Sequence, residues 1–216
     1  MSQNFHTTLP APQGRPLRIV ALASGSGTLV QALIDNLDSA KVELLAIGAD
    51  RDCTALDRAE KAGLPSFKVE YVPKVTDREQ WNRDLIAALE SWDADLIVSA
   101  GFMRIIGADV VNRFPGRIIN THPALLPSFP GAQAVVDAIE YGVKVTGSTV
   151  HVVDAGVDSG PIVAQEAVNV HPSDKVETLH EKIKHVERRL IVQVLHEIAG
   201  NGLTIEGRKA QISSND

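Results

Sequence analysis

Residues Leu17–Ala23 (LRIVALA) run into the turn Ser24-Gly25-Ser26-Gly27 and pass at once into the helical pattern TLVQALIDNL. A short apolar β-favouring run, a glycine turn and a helix, in that order, open an α/β domain, and this order restricts the fold more than any other stretch of the chain. The alternation continues. Val42–Ala49 predicts a strand, 54–62 a helix ended by Gly63, and 65–69 a short strand. Thr76, Asp77 and Glu79 open a longer helix to about Trp92, a capping residue followed by acids that suit the helix dipole. Residues 95–100 (DLIVSA) are almost all apolar, as in a strand covered on both faces. A short helix at Ala108–Arg113 then leads to a fifth strand, RIINT, at 117–121. The expectation is an α/β fold with a doubly wound, mostly parallel sheet.

The second part differs. A Pro-rich loop (HPALLPSFPG) precedes a helix over Ala134–Tyr141. Residues 145–153 and 161–168 read as two strands around the turn DAGVDSG, a C-terminal β-hairpin unit. Ser173 or Asp174 starts a long C-terminal helix to about Ala199. One domain over 17–200 is expected, with a half at 17–116, a half at 117–200, and a tail at 201–216 whose last residues, ISSND, fray. Residues 1–16 are polar and Pro-rich and are expected to be a disordered lead-in.

The net charge of −6 and an aromatic content of 4% disfavour a nucleic-acid partner, which needs surplus Lys and Arg and stacking platforms. A phosphorylated small molecule stays possible, because a few local donors suffice. Cys53 is the only cysteine, which fits a reducing compartment. No run has signal-peptide or membrane-spanning length, so a cytoplasmic protein without a membrane partner is expected.

Gly25 and Gly27 allow a sharp turn, and Thr28 starts a helix whose free N–H groups suit a phosphate. Such turns also serve as plain connectors. Val30 occupies the place of the third glycine of GxGxxG, and no GK[ST] follows, so a monophosphate fits better than a dinucleotide or a nucleoside triphosphate.

Asn120-Thr121-His122-Pro123 closes the fifth strand. Side chains at i and i+2 share a face, so Asn120 and His122 project together while Thr121 points away, at the strand end where α/β sheets collect ligands. Pro123 restricts His122 to extended geometry. An amide donor beside an imidazole suits oxyanion stabilisation and proton movement, although both residues also serve as ordinary turn formers. Asp154 and Asp158 are the candidate acids, since a carboxylate near an imidazole favours its charged form; spacing leaves the choice open. His151 alternates with Val150 and Val152 and reads as a satisfied structural histidine near the site rather than a ligand. His171, His180, His185 and His196 lack metal-ligand spacing, and no metal is expected.

Five motifs in order, SGSGT at 24–28, AGFMRI at 100–105, NTHPALLPSFPG at 120–131, GSTVH at 147–151 and DAGVDSGPI at 154–162, resemble the glycinamide ribonucleotide formyltransferases from 17 to about 200. The resemblance implies a Rossmann-like formyltransferase fold with 10-formyltetrahydrofolate as formyl donor and glycinamide ribonucleotide as acceptor. It implies that Gly27, Thr28 and Leu29 hold the phosphate, and that Glu187 with Lys184 holds the ribose side. It implies a folate cleft lined by Met103, Arg104, Ile105 and Ile106, with Arg78 at its outer end. The loop Asp154, Ala155, Gly156, Val157 and Asp158 closes over the pterin, Asn120 also touches the folate, and Asp158 rather than Asp154 acts with His122. The bland alternatives are core positions for Met103, Ile105 and Ile106 and solvated charge for Arg78 and Glu187. Gln133 departs from the family, which often has His there.

The implied activity is formyl transfer from the folate to the ribonucleotide amine in purine biosynthesis, catalysed by Asn120, His122 and Asp158 without a metal. The partners are then small molecules, and the state is a monomer or homodimer. Rivals are a formyltetrahydrofolate deformylase, a methionyl-tRNA formyltransferase and a non-catalytic folate or nucleotide binder.

Overall fold

The computed structural model describes residues 6–213. In chain order the elements are β1 (His6–Leu9), β2 (Leu17–Ala23), α1 (Thr28–Asn36), β3 (Val42–Ala49), α2 (Thr54–Lys61) and β4 (Ser66–Lys68). Then come α3 (Arg78–Glu90), β5 (Leu96–Ser99), α4 (Ala108–Arg113), β6 (Ile118–His122) and α5 (Ala134–Tyr141). The chain closes with β7 (Val145–Val152), β8 (Ile162–Asn169), α6 (Val176–Asn201), β9 (Leu203–Glu206) and β10 (Lys209–Ile212).

All ten strands form one sheet in the order β1-β9-β10-β8-β7-β6-β5-β2-β3-β4. The pairs from β4 to β6 are all parallel, which makes this the doubly wound part. β7 runs antiparallel to both β6 and β8, the expected hairpin. The core strands are apolar because both faces are covered: Leu17, Ile19, Val20, Leu96, Val98 and Ile119 are fully buried. α1 packs on α2 and α6, while α3 packs on α4, the two helical layers that right-handed crossovers in opposite directions require. Trp81 of α3 is buried, stacks on Phe102 and donates from Nε1 to the Val69 carbonyl at 2.9 Å. Asp77 caps α3, accepting from the N–H groups of Glu79 and Gln80, whereas the Thr76 hydroxyl accepts from the Val72 N–H.

At the ends of the chain the expected disorder of the lead-in fails, and the tail holds two strands that the sequence pattern does not predict. From His6 onward the lead-in is ordered: β1 pairs antiparallel with β9, and Leu9 packs on the core. The tail is ordered through Ile212, because β9 and β10 form a hairpin that joins the sheet beside β8. Side chains in β1 and β10 are only exposed or half-buried, so backbone pairing holds these strands and leaves little apolar pattern to read. The rest of the lead-in, at 1–5, and the end of the tail expected to fray, at 214–216, lie outside the described residues.

Candidate active site

The chain reverses its direction of travel across the sheet between β2 and β5, and the loops at the carboxyl ends of these strands part there. A cleft of about 590 Å³ opens at this point and extends over β6 and the 154–158 loop to α6. That volume suits a small organic ligand.

One arm of the cleft is the turn before α1. Gly27 sits at φ 66° as the N-cap, and no side chain caps the helix. A Cβ at Gly27 would lie 2.7 Å from the Ala55 Cα, so α2 packs against the turn too closely for any other residue. Thr28 and Leu29 line the cleft, and the first N–H groups of α1 have no intrahelical partners. Lys184 and Glu187 of α6 border the same cleft. Burial pushes the Glu187 carboxyl above its usual range, while the neighbouring Thr121 hydroxyl, Lys184 and Arg188 pull the other way. Thr121 thus serves the α6 face of β6, opposite to Asn120 and His122. The Lys184 ammonium also pairs with Glu181 at 2.8 Å.

The centre is a row of polar residues across the sheet. Register sets Ser99 beside Asn120 and Asn120 beside His151, so their side chains share a face. The Asn120 Nδ2 lies 3.2 Å from His151 Nε2, and the other His151 nitrogen, Nδ1, lies 3.1 Å from the Val152 carbonyl. His122 is buried, with Nε2 2.8 Å from the Phe129 carbonyl and Nδ1 3.3 Å from the Asp158 carboxylate. Asp158 also accepts the Gly131 N–H at 2.8 Å and stands 3.6 Å from His151 Nε2, an electrostatic contact rather than a hydrogen bond. The His151 imidazole above all, then the Gly131 amide and the His122 charge, hold the Asp158 carboxyl down at about 2 against a burial that pushes it up. Asp154 faces elsewhere. Its Oδ1 accepts from the Gly156 N–H at 3.0 Å and the Ser159 hydroxyl at 2.8 Å, which leaves Asp158 as the acid at His122.

The other arm is apolar. Met103 and Ile105 are 75% and 66% exposed, so neither is a core residue, while Ile106 is buried. Together with Arg104 they line the cleft opposite Gly156, the exposed Val157 and Asp158. The Met103 N–H donates to the Ser24 hydroxyl at 2.8 Å, which ties the loop after β5 to the loop after β2. Arg78 and Ala155 do not line the cleft. Arg78 packs over the Tyr71 and Trp81 rings and donates to the Ile105 carbonyl, so it supports the apolar arm from behind.

Gln133 borders the cleft at the start of α5, and so does His180, one turn before Lys184 on α6. The central position of His151 was hidden by its place in an apolar alternation; only cross-strand register puts it beside Asn120. Among the described residues no cluster of three His, Cys, Asp or Glu could hold a metal ion, and no helix is long and apolar enough to cross a membrane.

An α/β sheet whose strand ends gather an amide, an imidazole and a carboxylate in one cleft defines an enzyme suited to acyl transfer. Residues 17–195 match the formyl transferase family, and the chain belongs to it. It is 48% identical to the phosphoribosylglycinamide formyltransferase of Mycobacterium tuberculosis over 94% of both chains. It is 36% identical to that of Bacillus subtilis, over 89% of this chain and 99% of the relative. The crystal structure of glycinamide ribonucleotide transformylase 1 from Symbiobacterium toebii superimposes with a TM-score of 0.87 at 39% identity, covering 94% of this chain and 96% of that one.

Proposed function

We propose that the protein transfers the formyl group of 10-formyltetrahydrofolate to the amine of 5-phosphoribosylglycinamide; the name of the relatives, phosphoribosylglycinamide formyltransferase, supports the acceptor and the group moved. The observation that carries the reading is the position of Asn120, His122 and Asp158 in one cleft between an anion-suited helix start and an apolar arm. The phosphate binds the N–H groups of Gly27, Thr28 and Leu29, and Lys184 and Glu187 take the ribose end. The folate lies along Met103, Arg104, Ile105 and Ile106, with the Asp154–Asp158 loop above it.

The substrate amine attacks the formyl carbon, and the carbonyl π electrons move to oxygen. The Asn120 amide donates to that oxyanion. Both ring nitrogens of His122 face acceptors, the Phe129 carbonyl and the Asp158 carboxylate, and only the doubly protonated ring satisfies both. His122 therefore brings positive charge to the oxyanion, and Asp158 keeps it there. Collapse breaks the bond from the formyl carbon to the folate nitrogen as one proton passes from the attacking amine to that nitrogen, through a water held by Asp158. None of these steps draws on a metal, and the single thiol Cys53 agrees with a cytoplasmic enzyme.

The test mixes purified protein with 10-formyltetrahydrofolate, with and without the ribonucleotide, and follows the folate absorbance. Loss of the donor only when ribonucleotide is present is the expected result. Loss without it identifies a deformylase, and no loss in either case identifies a binder; both refute the proposal.

A further inference from the structure

Asp50, directly after β3, is fully buried, yet the reaction above does not use it. Its Oδ2 accepts from Arg104 Nε at 2.7 Å and from Arg51 Nε and Nη2 at 3.1 and 2.9 Å. Its Oδ1 is buried without a hydrogen-bond partner among the described residues. A carboxylate taken wholly from water and only half satisfied weakens a fold unless it serves another purpose. The purpose lies at Arg104. That guanidinium is held at Nε by Asp50 and by its face over the Tyr71 ring at 4.9 Å, and its side chain is 17% exposed, on the wall of the cleft. Neither Nη of Arg104 donates to another described residue, so the planar end of the fork is oriented and free.

We propose that Asp50 is a positioning residue: it fixes Arg104 so that the two Nη groups meet a carboxylate of the ligand in the apolar arm. This rests on the folate reading, in which the carboxylate is that of the donor's glutamyl tail. A free arginine on a loop samples many rotamers, and a lysine presents a point charge; an arginine pinned at Nε offers a planar pair of donors already in place. Arg51 is half exposed and shares the same Oδ2, so it adds to the neutralisation of Asp50 while Arg104 stays pinned.

The test is initial-rate kinetics with two donors, 10-formyltetrahydrofolate and its pteroate analogue lacking glutamate. Asp50→Asn is expected to raise the KM for the glutamyl donor roughly five- to tenfold, the loss fitting a disordered charge-assisted contact. Its kcat and the ribonucleotide KM stay within about twofold of wild type, and Asp50→Glu recovers most of the donor KM. With the pteroate donor, Asp50→Asn and wild type match. Should Asp50→Asn fail to fold, Arg104→Lys keeps the charge on Asp50 but loses the fork, and it must show the same donor-specific rise. An unchanged donor KM overturns the inference, and so does an equal rise in both substrates' KM or an equal loss with the pteroate donor. A wild-type protein without ribonucleotide-dependent transfer refutes the folate reading itself, which separates the two failures.

Discussion

Asp158 stands at φ 50° and Phe129 at φ 53°, left-handed conformations that cost energy outside glycine. Each is offset by a contact to His122, the carboxylate of one and the carbonyl of the other, so the strained backbone coincides with the proposed catalytic geometry. We expect Asp158→Asn to lower kcat by roughly a hundredfold or more while both KM values change little, read by steady-state kinetics. Near-normal turnover would remove Asp158 from the mechanism. The same residue predicts an acid response. Its folded pKa, about 2, lies below the ordinary 3.8, so its stabilising contribution is complete above the ordinary value and disappears as pH falls through about 2. Urea midpoints measured at about pH 5 and about pH 2 should therefore fall further in wild type than in Asp158→Asn. At Gly27, Ala meets both a left-handed φ and the Ala55 backbone at 2.7 Å. Gly27→Ala should cost about 2–4 kcal/mol of stability and raise the ribonucleotide KM, measured by denaturant titration and kinetics.

At the scale of elements, β1 is joined to the sheet by its pairing with β9, with Leu9 on the core and Thr7 over Gly116. Truncation before Pro10 removes one edge strand far from the cleft. It should lower the melting temperature by several degrees and leave the formyl-transfer rate unchanged; a loss of rate would mean that β1 supports the site. The strands and helices from β2 to α6 were legible in the sequence because each carries its own signal: an apolar run, Gly63 after α2, Asp77 before α3. Asn120 and His122 were legible as a pair because period-two geometry acts within one strand. His151 beside Asn120 was not, because register between β6 and β7 is a tertiary fact, and a histidine between valines looks the same in any register. Asp50 and Arg104, far apart in sequence, carried no joint signal either; β1 and β10 bury no side chain fully, and the alternation of Leu203 and Ile205 in β9 spans only four residues.

At the scale of the molecule, the glycine turn before α1 lies within 17–116, and Asn120, His122, Asp158, Lys184 and Glu187 lie within 117–200. These halves are not separate bodies. β5 of the first pairs with β6 of the second, α1 packs on α6, and the Asp38 N–H donates to His196 at 3.0 Å. The main hydrophobic cluster therefore draws on both halves, with Leu33 and Val98 from the first and Ile119 and Ile191 from the second, while a smaller cluster of Val135, Val168, Leu179 and Ile183 belongs to the second. A single cooperative transition follows, and the chain carries probes to check it. Both tryptophans, Trp81 and Trp92, belong to the first half, whereas the longest helix, α6, belongs to the second. Tryptophan fluorescence then follows the first half and far-ultraviolet circular dichroism is weighted toward the second. We expect coincident urea midpoints by the two probes, and a calorimetric enthalpy equal to the van't Hoff value. An earlier fluorescence midpoint would mean that the first half opens alone. In a single unit, a ribonucleotide bound across both halves must shift both probes equally, by an amount that grows with the logarithm of its concentration.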